Sequence, residues 1–89
     1  DNNSMRREIA RHFGSDLAYP NREAVIYKTE NHYEVDFIKD GKVIETREMI
    51  TQYQDLEEPT VHSMQYAEDA AENYCLGYIP ADGRRANDT

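Results

Sequence analysis

The sequence predicts an α+β domain of order α-β-β-β-α, a three-stranded antiparallel meander packed by two helices. Three observations predict it. An apolar stripe of helical spacing opens the chain, three β-branched and aromatic runs separated by turn residues fill its middle, and a capped amphipathic stretch follows. The 89 residues give room for one domain, expected over residues 1–80 with a flexible tail at 81–89. A chain of this length buries a thin core, so a deep catalytic cleft is not expected.

Ser4 is placed to cap a helix starting at Met5, and Met5, Ile9 and Phe13 recur every four residues along one stripe. Gly14 suits the end of that helix. Ser15 to Arg22, with Pro20 and Asn21, reads as a connecting loop that tacks Leu17 and Tyr19 onto the core. Ala24 to Thr29, Tyr33 to Ile38 and Val43 to Ile50 read as strands, separated by Glu30-Asn31-His32 and by Lys39-Asp40-Gly41-Lys42. Asp40-Gly41 signals a type I′ hairpin, whose two central residues need positive φ; glycine adopts it freely and aspartate better than most. Tyr33, Val35 and Phe37 alternate with Glu34 and Asp36, which gives the middle strand one buried and one wet face. Val43 and Ile44 are both apolar, so pattern alone leaves the register of the second hairpin open.

Thr51 to Thr60 has no clear period, contains Pro59 and reads as a loop. Ser63 then caps a second helix from Met64 to about Leu76. One side of it carries Met64, Ala67, Ala70, Ala71, Tyr74 and Tyr78, and the other Gln65, Glu68, Asp69, Glu72 and Asn73. Gly77 and Pro80 mark its end.

Charge narrows the function. The net charge is −8, yet residues 1–22 hold four arginines against three acids, so the remaining residues carry −9. From Glu48 to Gly83 there is no Lys or Arg among eight acids. Such a surface repels phosphate backbones and anionic membranes and attracts basic protein surfaces. The α-β-β-β-α order is that of the double-stranded-RNA-binding domain, but that grip needs cations at the last helix, which offers Glu68, Asp69 and Glu72 instead. Direct nucleic acid binding is therefore not expected. No apolar run reaches membrane-spanning length and no leader pattern opens the chain, so a cytoplasmic location is expected. Met5 is read as a start, and Asp1 to Ser4 are given no functional weight.

Side chains with chemical potential are few. His12, His32 and His62 show neither HExxH nor paired-cysteine spacing and read as surface or packing residues. Glu68 and Glu72, one helical turn apart beside Asp69, are able to share a hydrated Ca²⁺ or Mg²⁺, but without loop-borne ligands they read as a solvated face. Cys75, the only cysteine, reads as a buried, inert thiol. No metal, cofactor or catalytic residue is expected. Of seven tyrosines, most fall on faces expected to be buried; Tyr53, in the acidic loop, is free for a partner. The expected partner-binding residues are Tyr53, Asp55, Glu57, Glu58, Glu68, Asp69 and Glu72.

The run Tyr33-Glu34-Val35-Asp36-Phe37-Ile38-Lys39-Asp40-Gly41-Lys42-Val43-Ile44-Glu45-Thr46-Arg47, with Tyr66-Ala67-Glu68-Asp69-Ala70-Ala71-Glu72-Asn73-Tyr74, resembles small uncharacterised acidic proteins of marine tailed phages. The resemblance covers a hairpin and one helix. It implies an accessory phage protein acting inside an infected bacterium and carries over no functional residue. The sheet-and-helix part is also similar to the module of HicB-type antitoxins, without their DNA-binding appendage.

The leading expectation is thus a non-enzymatic protein that binds a host or phage protein through its acidic side, blocking a basic groove by standing in for nucleic acid charge. The alternative is a homodimeric structural or antitoxin-like module, joined through a sheet edge or tyrosines, whose acidity only serves solubility. A metal-dependent enzyme using Glu68 and Glu72 ranks third.

Overall fold

A computed structural model describes residues 6–15 and 17–77. In chain order these form β1 (Arg7–Phe13), β2 (Arg22–Lys28), β3 (Tyr33–Lys39), β4 (Lys42–Glu48), β5 (Ile50–Thr51), β6 (Thr60–Val61) and α1 (Met64–Leu76). The first four strands make one antiparallel sheet in sequence order, and β5 pairs with β6 in a separate short ladder. The α+β class stands, with one helix among the described residues. The expected cap Ser4, Met5, Tyr78 and the tail at 81–89 lie outside them.

Turn chemistry explains why the middle of the chain folds locally. Asp40 and Gly41 have φ of 53° and 80°, the positive pair a type I′ turn requires, and Lys39 faces Lys42 across it. At the other end of β3, Thr29 N–H donates to His32 O at 2.9 Å and closes the β2–β3 hairpin. The helix is bounded as its sequence dictates. Ser63 Oγ accepts from Tyr66 N–H, and Gly77 adopts a left-handed φ of 93° so that its N–H reaches back to the last turn.

The sheet packs one face against α1. Ala24 and Ile26 of β2, with Val35 and Phe37 of β3, meet Ala67, Ala71, Tyr74 and Cys75 of the helix and Met49, all buried. The alanines let the helix approach closely, and the Tyr74 ring lies 4.8 Å from that of Phe37. Its hydroxyl donates to Ile38 O at 3.0 Å, which satisfies the polar end of a buried ring. Arg22 stacks between Tyr19 and Tyr74 and donates to Tyr74 O at 2.9 Å, placing a cation on the helix C-terminus.

Three expectations are corrected, the smallest being that Leu17, read as tacked onto the core, is 97% exposed. The expected first helix, Met5 to Phe13, is strand β1 over its described length, so the expected three-stranded meander is a four-stranded sheet and the second helix of the packing pair is absent from the described residues. Ile9 and Phe13 are four residues apart, a spacing that keeps two side chains on one side of a helix and equally of a strand. The free edge of β2 decides between them by offering a ladder from Arg7 opposite Lys28 to Phe13 opposite Glu23. Ile9 falls in a bulge between Glu8 and Ala10, and Phe13 is 68% exposed, so the supposed core stripe is not a core at all. The remaining correction concerns the expected loop at 51–60. Its ends pair as β5 and β6, which leaves residues 52–59 as the free segment.

Candidate functional site

The expected partner-binding residues divide into two groups. Tyr53, Asp55, Glu57 and Glu58 sit on the loop joining β5 to β6, all exposed, and Leu56 stands exposed among them. This loop is pinned by its own backbone: Leu56 N–H donates to Tyr53 O at 3.2 Å, and Gln52 Nε2 donates to both Tyr53 O and Leu56 O. Tyr53 and Leu56 stand 46% and 48% exposed on this loop. Below the loop, Thr51 Oγ1 and His62 Nε2 lie 2.7 Å apart, and the His62 ring stacks on Tyr66 at 3.8 Å. His62 thus joins the base of the loop to the first turn of α1.

Glu68, Asp69 and Glu72 form the second group, on α1. Asp69 and Glu72 are exposed and Glu68 is half-buried, and Asp69 accepts from Gln65 Nε2 at 3.0 Å. Among the described residues, the expected pair Glu68 and Glu72 gains no third ligand. Among the described residues, no cation pairs with Asp55, Glu57, Glu58, Glu68, Asp69 or Glu72.

The sheet face opposite the helix holds a second constellation, which pattern reading missed. Asp36, 6% exposed, accepts the Thr46 hydroxyl at 2.7 Å and is ion-paired with Arg6, whose Nη2 lies 2.8 Å away without forming an aligned hydrogen bond. The Arg6 guanidinium lies 3.7 Å over the Tyr27 ring and brings its Nε within 3.5 Å of Glu34 Oε1. Next along the face, His32 Nε2 stands 3.1 Å from Glu34 Oε2 and 3.4 Å from Glu48 Oε2. Nearer β1, Arg11 bridges Glu8 and Glu23. These bridges flank Val25, which is fully buried although α1 packs on the other face of β2, against Ala24 and Ile26. The only sequence signal was the wet face of β3, where Glu34 and Asp36 alternate with apolar residues. Its partners come from Arg6 and from β4, and both depend on register.

A cleft of about 230 Å³ lies between the end of β4 and the start of α1, lined by Arg47, Glu48, Ile50, His62 and Tyr66 among others, and its volume falls below that of ordinary small-molecule sites.

Cys75 is buried as expected, and burial pushes its thiol up to about 11 against the weaker opposing pull of Arg22. Alkylation at about pH 8 is therefore expected to run on the order of tenfold or more slower in the folded chain than in urea, because the thiolate is the reacting form. Equal rates would place the thiol in solvent. The same shift gives stability a sign. The unfolded thiol ionises near its ordinary value of 9.0, while the folded one keeps its proton to about 11. Stability is then whole below pH 9 and falls as pH rises through that window, with Tyr74, also pushed up by burial, acting in the same direction.

No helix among the described residues is long and apolar enough to cross a membrane. Comparison with known protein families, curated proteins and solved structures finds no match to this chain.

Proposed function

We propose that the chain is a non-enzymatic binding domain whose contact surface is the loop from Tyr53 to Glu58, extended by Glu68, Asp69 and Glu72 of α1. Its partner is a protein with a basic rim around an apolar socket, of the kind that otherwise grips nucleic acid phosphates. The observation that carries this reading is the loop itself: a tyrosine and a leucine held outward on a pinned backbone, among carboxylates that no described cation neutralises. Pinning lowers the ordering cost of binding, and the aromatic and aliphatic side chains supply the desolvated centre that charge alone lacks. The phage resemblance of the hairpin and helix motifs fits an accessory protein that inhibits a host or phage factor in the bacterial cytoplasm.

The alternative, a homodimer joined through a sheet edge, has less support. Both edge strands carry a bulge, at Ile9 in β1 and at Ile44 in β4, and bulges are a common device against edge-to-edge pairing. Of the tyrosines offered as a dimer surface, Tyr27 lies beneath Arg6, Tyr66 against His62 and Tyr74 inside the core.

The test uses a partner captured from bacterial lysate and then purified. Raising salt from about 0.05 to 0.5 M is expected to weaken binding at least tenfold, because exposed charges are screened. The triple reversal Asp55→Lys, Glu57→Lys, Glu58→Lys and the pair Tyr53→Ser, Leu56→Ser should each abolish it. Binding that is indifferent to salt and to both variants refutes the reading.

A further inference from the structure

The geometry points to a divalent cation site on the sheet face opposite α1, formed by His32 Nε2, Glu34 Oε2 and Glu48 Oε2 and taking a first-row ion of the zinc type. It is separate from the acidic loop and independent of the function proposed for it.

Strand register builds the site. Glu34 of β3 lies directly opposite Glu48 of β4, and His32, two residues before Glu34, projects from the same face. Like charges directly opposed across a ladder are destabilising, so this pairing calls for something positive between them. Arg6 does not supply it, since its closest contact is Asp36 at 2.8 Å and it reaches only the far oxygen of Glu34, at 3.5 Å. One guanidinium against Asp36, Glu34 and Glu48 leaves two carboxylate charges beside the His32 ring. A divalent ion cancels both charges.

The donor atoms are arranged to receive it. All three lie within 4.8 Å of one another. The two distances from Nε2, 3.1 and 3.4 Å, are close to about 3.3 Å, the edge of a tetrahedron whose ligands stand ~2.0–2.1 Å from the ion. The far side of the ring is held as it is in histidine ligands. Thr29 Oγ1 lies 3.1 Å from Nδ1 and 3.0 Å from His32 O. The same hydroxyl accepts the backbone N–H groups of His32 and Asn31, which fixes the ring against the turn, and a bound ion selects the tautomer whose Nε2 lone pair faces both carboxylates. His32 and Glu34 are each 15% exposed, whereas Glu48 is 61% exposed, so an ion enters from the β4 side and keeps water in its remaining position. One imidazole among the ligands favours zinc-type ions over Mg²⁺ and Ca²⁺, which prefer oxygen alone. The bound ion clips the end of the β2–β3 hairpin to the end of β4.

Titrating the chelator-treated full chain with Zn²⁺, and with Co²⁺ as a coloured substitute, tests the site. Expected are one ion per chain, a cobalt spectrum of low coordination number, and a melting temperature that rises with Zn²⁺. His32→Gln and Glu48→Gln should each weaken binding at least tenfold while leaving the ion-free melting temperature of Glu48→Gln unchanged, since that side chain is exposed. The double variant Glu57→Gln, Glu58→Gln should bind as the parent does. Absence of saturable one-to-one binding overturns the proposal. Equal affinity for Mg²⁺ overturns it too, as does binding that survives both single variants but is lost from the loop double variant.

Discussion

Phe37→Ala is expected to destabilise the domain by about 3 to 5 kcal/mol, the range for emptying a buried phenylalanine site. Phe37 is fully buried at the centre of the sheet–helix contact, and the residues facing it from α1 include Ala67 and Ala71. Alanines have no side chain to swing into the cavity, so little of the loss is recovered by collapse. A domain of this length holds roughly 4 to 13 kcal/mol in all, at ~0.05 to 0.15 per residue, so the variant loses a large share of its stability. The companion substitution Phe13→Ala should change stability by less than about 0.5 kcal/mol, because that ring is already in water. Urea denaturation of both variants reads the difference directly. A large loss at Phe13 with a small one at Phe37 would restore the helical stripe and refute the four-stranded sheet.

Arg6→Met should cost about 3 kcal/mol, for a different reason. Removing one partner of a buried ion pair leaves the other charge desolvated, which costs more than the intact pair contributes. Here the survivor is Asp36, 6% exposed, to which the Thr46 hydroxyl donates at 2.7 Å. Adding Asp36→Asn should recover most of the loss, since a neutral amide accepts the same hydroxyl without the charge. A double-mutant cycle from denaturation midpoints measures that coupling. If the two losses simply add, Arg6 and Asp36 do not interact, and the polar roof over Val25 must be held another way.

These two residues also show what could be read in the chain and what could not. Phe37 was legible because Tyr33, Val35 and Phe37 alternate with charge, and period two on a run ending in Asp40-Gly41 admits few other structures. The helix from Met64 was legible because Ser63 and Gly77 mark its ends while small apolar residues recur at its own period. Both signals are local. Arg6 carried no signal, because its value depends on Asp36, thirty positions later, and on a strand that pairs only after β2 and β3 have met.

The same division runs through the candidate sites. Loop acids and Tyr53 could be named from sequence because missing counter-charge is a property of neighbours in the chain. The apolar side chain that accompanies them, Leu56, stands out only in the fold, where Gln52 bonds the carbonyls of Tyr53 and Leu56 and leaves Leu56 48% exposed. His32, Glu34 and Glu48 looked unrelated, since pattern left the register of β4 open.

By itself the sequence determined the class of the domain, its two tight turns and its capped helix, all through interactions spanning a few residues. Tertiary structure alone decided that the first segment is a strand and that a histidine and two glutamates converge. Strand pairing joins residues far apart in the chain, and a shift of one position in register would send Glu48 to the other face of the sheet.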